Sequence, residues 1–244
     1  MLEGPDLVAA AVAAGATLEA VYFDDRANAP ERASSAAALR LAAAHGVRLI
    51  ELAPGVLDKV ADAVTPQPVL GVAAMPRTDL SVVPAEGFVL VLDDVRDPGN
   101  LGTAVRSADA AGCAGVVVSG DSVDVFNPKT LRATAGSVFQ VPLAIVDSLD
   151  EAIAALHASG RQVLGAVVHG GTPLWASVLS ARTAVVVGSE SSGLSEHARS
   201  LMDGSVTIEM AGRAESLNVG VASALICFES LRQRAVPGSM RPTL

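Results

Sequence analysis

Short runs of consecutive apolar residues, each followed by a helical segment, constrain the fold of this chain more than any other feature. The first run is Phe88–Leu92, and Val116–Ser119 and Ala184–Val187 repeat the pattern. A strand that is apolar on both faces needs cover on both faces, as a parallel strand between helices has. Strands that alternate with helices of this length predict crossover connections. This region therefore predicts an α/β fold on a parallel sheet, with further strands at Leu143–Val146, Gln162–Val168 and Ser205–Ile208.

The N-terminal third of the chain shows a shorter version of the same alternation. Strands are expected at Leu18–Phe23, Val47–Leu52 and Val69–Met75, with helical segments before and between them. The Pro-bounded, polar-leaning stretch Pro76–Gly87 is typical of a linker. We therefore expect two domains: a small α/β domain over residues 1–80 and a larger one over residues 87–238.

Composition excludes several classes of protein. Apolar residues make up 50% of the chain, which excludes a disordered protein. Aromatic residues make up only 3%, which argues against a module that stacks nucleic-acid bases on rows of aromatic rings. The net charge of −9 means that any anionic ligand must be held by a local group of residues. No uncharged run is long enough for a transmembrane helix, so no membrane association is expected.

The cysteines and histidines point to a cytoplasmic protein without a metal. Cys113 and Cys227 stand among apolar helical neighbours, as reduced core thiols do. The histidines have no spacing typical of metal ligands, so no metal is predicted; they are His45, His157, His169 and His197.

Three polar segments are unusual for a purely structural scaffold, and the first is Asp93–Arg106. It follows a buried strand and opens a helix, which is where open α/β sheets place their ligands. Gly99, Asn100 and Gly102 allow backbone N–H groups to approach a ligand at the helix N-terminus. Taken alone, the segment fits equally well a capping turn followed by a solvated Arg106.

The other two segments lie further along the chain. In Val185–Ser195 a buried strand runs into a Gly/Ser loop, where Gly188 permits close backbone approach and Glu190 is the single carboxylate. In Ile208–Ala222 a polar pair precedes a long apolar helix predicted at Ser216–Arg234. Ser216 is expected to cap this helix, which leaves Asn218 without a capping role and favours a ligand contact for it.

In this order and spacing, the three segments DPGNLGTAVRSADAAG, VVVGSESSGLS and IEM…ESLNVGVASAL resemble the motifs of the SpoU (TrmH-like) family of RNA ribose 2′-O-methyltransferases, in the SPOUT class. The resemblance covers about residues 88–235. The N-terminal part resembles the small L30e-like substrate-binding domain of that family. The resemblance implies a parallel sheet whose C-terminal part, roughly residues 184–220, forms a trefoil knot that binds S-adenosyl-L-methionine.

The resemblance also implies roles for individual residues. Arg106 is expected to be the central catalytic residue, either as the base or as an electrostatic clamp on phosphate and developing alkoxide, because a guanidinium normally stays protonated. The other expected catalytic residues position Arg106, the ribose and the cofactor; they are Asn100, Glu190, Ser216 and Asn218. The expected cofactor contacts, mainly through the backbone, are Gly188, Ile208 and Leu217.

Partners follow from the same resemblance. Arg96, Lys129 and Arg132 are candidates for RNA phosphate contacts, although a solvated helix face explains each nearly as well. A homodimer is expected, because the predicted helix Ser216–Arg234 is apolar around most of its circumference. Ribosomal RNA is favoured over tRNA because of the extra N-terminal domain. The alternatives are a tRNA ribose methyltransferase, a base methyltransferase and a non-catalytic RNA-binding ribosome assembly factor.

Overall fold

The computed structural model describes residues 1–29, 32–61, 65–179 and 182–234. By their contacts these residues divide into two compact units. The first comprises Met1–Pro76 and Phe126–Gln140, and the second comprises Arg77–Val125 and the described residues from Val141 onward. The second segment of the first unit lies in the middle of the region predicted as the larger domain. The domain boundaries stated above therefore stay a prediction.

The helices and strands are numbered in chain order. The strands are β1 (Leu2–Glu3), β2 (Leu18–Phe23), β3 (Leu49–Glu51), β4 (Val69–Ala73), β5 (Val89–Asp93), β6 (Gly115–Ser119), β7 (Leu143–Ile145), β8 (Gln162–Ala166), β9 (Thr172–Pro173), β10 (Thr183–Val187) and β11 (Gly204–Thr207). The α-helices are α1 (Pro5–Ala13), α2 (Ala33–Ala44), α3 (Leu57–Val60), α4 (Pro98–Ala110), α5 (Pro128–Thr134), α6 (Leu149–Ala158), α7 (Glu196–Ser200) and α8 (Val219–Arg234).

The first unit is built on a mixed four-stranded sheet in the order β1-β4-β2-β3. The β2–β3 pair is parallel, and the β2–β4 and β1–β4 pairs are antiparallel. Helix α5 belongs to this unit and contacts β1. It begins where the Asn127 side chain accepts a hydrogen bond from the Lys129 backbone N–H (2.9 Å), followed by Pro128 in the first turn. The Arg132 guanidinium forms an ion pair with the buried Glu3 carboxylate at 3.2 Å.

The second unit contains the predicted parallel sheet. Its strands are all parallel and follow the order β7-β6-β5-β10-β8-β11-β9. Helices α6 and α7 pack on one face, where Val91, Val117 and Val186 join the apolar cluster. Helices α4 and α8 pack against each other over the opposite face. The predicted α/β fold is confirmed, and the knot within residues 184–220 stays a prediction.

Three local expectations are wrong, each for a physical reason. The stretch predicted as a linker packs on the second unit, because Leu80 and Val83 are apolar enough to join its core and Thr78 accepts a backbone hydrogen bond from Ile145 (2.7 Å). The last helix begins at Val219 rather than Ser216. Among the described residues between the expected strands Val47–Leu52 and Val69–Met75, the expected helical segment is confined to α3.

Among the described residues, no helix is both long and apolar enough to cross a membrane.

Candidate active site at the carboxyl ends of the parallel strands

The topology of the second unit brings two of the three polar segments together. Strands β5 and β10 are parallel neighbours, so their carboxyl ends lie at the same edge of the sheet. Helix α4 follows β5 and carries Asn100 in its first turn, and Glu190 follows β10. This edge is where open α/β sheets bind their ligands. The pairing of two buried strands therefore brings two of the predicted site segments to one edge of the sheet.

Hydrogen bonds connect one side chain from each of the three segments. Asn218 Nδ2 donates to Asn100 Oδ1 at 2.7 Å, and Asn100 Nδ2 donates to Glu190 Oε1 at 3.1 Å. Amide orientation is assigned from such contacts. Turning the Asn100 amide over would place its oxygen against the Glu190 carboxylate and its NH₂ against that of Asn218. Only one orientation therefore satisfies both partners. We call these three residues the amide network.

Asn218 also has a structural role that the sequence analysis assigned to Ser216. Its Oδ1 accepts a hydrogen bond from the Val221 backbone N–H at 3.2 Å, and its carbonyl accepts from the Ala222 N–H at 2.8 Å. These are the contacts of a helix N-cap. The expectation that Ser216 caps the helix is wrong, because the helix begins three residues later. One amide side chain thus both caps α8 and holds Asn100.

Arg106 and Ser216 are not hydrogen-bonded to the amide network. Both are exposed, and neither forms a hydrogen bond or ion pair with any residue that the structure describes. Arg106 is one turn beyond Thr103 on the exposed face of α4. A single chain therefore brings Asn100, Glu190 and Asn218 together, but it does not bring Arg106 to them.

The loops expected to bind the cofactor have suitable backbone geometry. Gly188 is buried, and a Cβ built on it would lie 2.6 Å from the backbone carbonyl of Gly193, so the loop after β10 turns back on itself without room for a side chain. Ile208 and Leu217 are half-buried. Residues 209–217 form no backbone–backbone hydrogen bonds with any part of the chain that the structure describes. Their N–H and C=O groups are therefore available to an adenine ring, and the donor set fits S-adenosylmethionine.

Sequence reasoning did not identify the partner of Gly188. The two residues of the Gly188–Gly193 pair are five positions apart, and an antiparallel bridge between Ser189 and Gly193 closes the turn. The available signal in the sequence was the glycine at position 193. Its φ is +63°, a backbone conformation that residues with a side chain rarely adopt.

The three candidates for RNA contacts differ in their surroundings. Arg96 lies 3.6 Å from the exposed Asp121 carboxylate, and Arg132 pairs with Glu3. The Lys129 side chain is exposed and has no ion-pair partner among the described residues. An RNA phosphate would compete with a carboxylate for both arginines, whereas it would meet Lys129 without competition.

Asp93 ends β5 at the same edge of the sheet but does not join the amide network. Burial raises the pKa of its carboxyl group, while a hydrogen bond from Ser119 Oγ (2.8 Å) opposes that shift. Among the described residues, no three His, Cys, Asp or Glu side chains gather in an arrangement that could hold a metal ion.

Comparison with known proteins identifies the family. Residues 87–228 match the SpoU rRNA Methylase family, and residues 1–79 match the RNA 2′-O ribose methyltransferase substrate-binding family. The chain belongs to the SpoU rRNA methylase family. The sequence-based predictions of this family and of an RNA 2′-O-ribose methyltransferase are thereby confirmed.

Two relatives align with most of this chain. It is 32% identical over 228 residues to the 23S rRNA (guanosine(2553)-2′-O)-methyltransferase RlmP of Bacillus subtilis, covering 93% of this chain and 86% of the relative. It is 37% identical over 193 residues to a 23S rRNA (uridine(2479)-2′-O)-methyltransferase of Streptomyces viridochromogenes, covering 76% and 67%. The solved structure of the SpoU methyltransferase AviRb from S. viridochromogenes with AdoMet is similar, with a TM-score of 0.82, 32% identity, and coverage of 95% of this chain and 89% of that one. The prediction of S-adenosylmethionine as cofactor is confirmed.

Proposed function

We propose that this chain methylates the 2′-hydroxyl of a ribose in ribosomal RNA, with its reaction centre beside the amide network. The observation that supports this most directly is the hydrogen-bonded chain Asn218–Asn100–Glu190 at the carboxyl ends of β5 and β10. The two relatives named above modify a guanosine and a uridine. The family fold therefore accepts different bases at the target ribose.

When bound, S-adenosylmethionine supplies the methyl group, and the residues of this chain position the acceptor. Glu190 is exposed and uses Oε1 to accept from Asn100, so its second oxygen is free to accept a hydrogen bond from a ribose hydroxyl. Asn100 and Asn218 hold that carboxylate in place. Holding two reactants in line removes much of the entropic barrier of the transfer. Gly188, Ile208 and Leu217 would hold the cofactor. Ser216 lies three residues before the first residue of α8.

Arg106 has a different role in the proposed reaction. Its guanidinium stays charged at neutral pH, and it makes bidentate hydrogen bonds to phosphate. We assign it to holding the phosphate next to the target ribose and to stabilising the negative charge that develops on the 2′-oxygen.

The exposed position of Arg106 supports a homodimer in which it serves the partner's site. Helix α8, which packs against the helix that carries Arg106, leaves Val221 and Phe228 each 48% exposed, two turns apart on one side. Apolar side chains in such a row favour contact with another surface. A two-fold dimer through this side would cover the row and could bring Arg106 to the amide network of the partner.

The remaining assignments concern RNA and location. Arg96, Lys129 and Arg132 are proposed to contact RNA phosphates, with Lys129 contributing most because it has no competing carboxylate. Residues 1–80 are proposed to bind the RNA substrate, and residues 87–238 to carry the reaction. Cys113 and Cys227 are free and buried, which suits a reducing compartment, and we place the protein in the cytoplasm.

The function is tested by incubating the protein with labelled S-adenosylmethionine and either ribosomal RNA or tRNA, then mapping the labelled nucleotide. A 2′-O-methylated nucleotide resists nuclease cleavage on its 3′ side, which separates it from base methylation. Label in tRNA alone would move the assignment to tRNA. If calorimetry detects no cofactor binding and neither RNA is labelled, the protein is a non-catalytic RNA-binding factor.

The shared site is tested by mixing defective subunits. Arg106→Ala is combined with Asn218→Ser, which removes the hydrogen bond to Asn100 but keeps a capping hydroxyl. If the two residues act across the dimer, random re-pairing restores about a quarter of wild-type activity, because half of the dimers have one working site. Wild type is also mixed with the double variant. A shared site then leaves about a quarter of the activity and an unshared site about half.

A further inference from the structure

Free guanidinium groups are scarce in the described part of the second unit, which contains arginines but no lysine. Several of its arginines lie within 3.6 Å of a carboxylate; they are Arg77, Arg96, Arg182 and Arg232. Others donate hydrogen bonds to backbone carbonyl groups; they are Arg161, Arg199 and Arg234. Only Arg106 and Arg213 form no hydrogen bond or ion pair with any residue that the structure describes.

Arg213 lies in the middle of the loop between β11 and α8. Because the strands of this sheet are parallel, the loop leaves the sheet at the same edge as the segments that carry Asn100 and Glu190. The loop ends at Asn218, which is hydrogen-bonded to Asn100. Five residues of extended chain span at most about 18 Å, so the backbone of Arg213 stays within that distance of Asn218.

The exposure of the loop separates its ends from its middle. Ile208 and Leu217, the expected cofactor contacts, are half-buried, whereas residues 211–216 are all exposed. The two ends therefore face the cofactor slot, and Arg213 is accessible to a ligand that arrives from solvent. This placement favours an anion of the RNA substrate over the carboxylate of the cofactor.

We propose that Arg213 binds a backbone phosphate of the RNA next to the target nucleotide. This inference rests on the proposed function. Arg213 shares its loop with Glu209 and Glu215 but forms no ion pair with either, among the contacts of the described residues, so a phosphate displaces no protein partner. A guanidinium forms bidentate, charge-assisted hydrogen bonds with phosphate. In a chain of net charge −9, such local contacts have to supply the attraction for RNA.

The proposed role of Arg213 differs from that of Arg106. Arg106 is assigned to the charge that develops on the 2′-oxygen, so its loss should lower kcat. Arg213 has no contact with the amide network and is expected to bind RNA equally in the ground state and the transition state. Loss of such uniform binding raises KM and leaves kcat unchanged.

The test measures filter binding of the full-length protein to protein-free 23S ribosomal RNA at several salt concentrations. At about 0.1 M salt, Arg213→Ala should weaken RNA binding about three- to tenfold. The slope of log K against log salt should fall by about 0.7–0.9, the value for one lost phosphate contact. In methyl transfer, kcat should stay within twofold of wild type, as should the Kd for S-adenosylmethionine measured by calorimetry.

Two variants make the test specific. Arg213→Lys keeps the charge but loses the bidentate fork, so it should keep the wild-type salt slope and bind RNA with intermediate affinity. Arg182→Ala removes the same charge at the opposite edge of the sheet, because Arg182 directly precedes β10 and pairs with Glu86 at 3.0 Å. It should leave both the affinity for RNA and the salt slope unchanged.

Each contrary result has a definite meaning. A wild-type RNA affinity and salt slope in Arg213→Ala overturn the inference. A raised Kd for S-adenosylmethionine with unchanged RNA binding also overturns it, and assigns Arg213 to the carboxylate of the cofactor. Equal effects of Arg182→Ala and Arg213→Ala reduce both to general electrostatics and reject a specific contact. If wild type binds RNA but transfers no methyl group, the proposed function fails, and the binding data still decide the role of Arg213.

Discussion

Replacing Asn218 with serine should separate the two roles of this residue. Asn218 Oδ1 caps α8 through the Val221 N–H at 3.2 Å, and its Nδ2 donates to Asn100 Oδ1 at 2.7 Å. A serine hydroxyl caps a helix about as well as an asparagine side chain does. It is too short to reach Asn100. Asn218→Ser therefore keeps the cap and removes the hydrogen bond, whereas Asn218→Ala removes both.

The expected changes in stability follow from these contacts. Loss of an N-cap costs about 1 kcal/mol, and loss of a neutral hydrogen bond about 0.5 kcal/mol when it is partly exposed, as this one is. Asn218→Ala should therefore cost about 1.5 kcal/mol and Asn218→Ser about 0.5 kcal/mol. At about 2–4 °C per kcal/mol for a domain of this size, the Tm should fall by about 3–6 °C and about 1–2 °C, respectively.

The expected changes in activity are different. Both variants lose the link between Asn218 and Asn100, so the rate of single-turnover methylation should fall by a similar factor in both, about 10–100-fold. The assay is transfer of labelled methyl to RNA at saturating cofactor, beside thermal unfolding followed by circular dichroism. A wild-type rate in Asn218→Ser would refute the reasoning, since it would reduce Asn218 to a helix cap.

The matched control is Ser148→Ala. Ser148 Oγ accepts a hydrogen bond from the Glu151 N–H at 3.3 Å and caps α6, which packs on the opposite face of the sheet from α8. Its loss should lower the Tm about as much as loss of the Asn218 cap and leave the methylation rate unchanged. If Ser148→Ala slows methylation as strongly as Asn218→Ser, activity follows overall stability and not the network.

Three further predictions concern other parts of the chain. Ser223→Ala should raise the Tm, because the buried Ser223 Oγ has no hydrogen-bond partner among the described residues, and an unchanged or lower Tm contradicts this. The Val163 backbone N–H, 2.7 Å from the Asp203 carboxylate, lowers the pKa of that group below its ordinary 3.8. The unfolded state then binds more protons than the folded state below about pH 4, so wild type loses stability as the pH falls. In urea unfolding, Asp203→Asn should lose less stability than wild type between pH 5 and pH 3. An equal loss would contradict the lowered pKa of Asp203. Lys129→Ala should weaken RNA binding and reduce the slope of log K against log salt by about one, whereas Arg132→Ala should change that slope less; equal effects would contradict the competition with Glu3.

The parallel sheet was predictable because its strands are buried on both faces. Phe88–Leu92 and Ala184–Val187 are continuous apolar runs, and such runs need helices on both sides. The order of the strands was not predictable, because the apolar pattern of β10 is equally compatible with pairing to β5, β8 or any other covered strand. Its insertion between β5 and β8 is what brings Glu190 to Asn100.

The sequence singled out the three residues of the amide network as candidates, but it did not predict their hydrogen-bonded arrangement. Asn100 lies in the first turn of α4, Glu190 in the loop after β10, and Asn218 directly before α8, in polar segments that are unusual for a purely structural scaffold. Ser216 and Asn218 are both good capping residues, and only the backbone decides which of them begins α8. The exposure of Arg106 could not be read from its spacing either, since a helical position specifies neighbours on one helix and not the surface that covers it.

A chain of net charge −9 must hold RNA through local contacts, which under the proposed function lie beside the amide network. The network connects the N-terminal turns of two long helices: α4, capped where Asp97 Oδ1 accepts the Asn100 N–H at 2.8 Å, and α8, capped by Asn218. Helix N-termini carry partial positive charge and unpaired N–H groups, which favour an anion within the first turn and have little effect beyond it. Such short-range attraction, together with the exposed Arg106, does not require a basic surface. Under the proposed function, contacts at this edge of the sheet select the ribose and its phosphate, while the net charge of −9 limits binding to RNA in general.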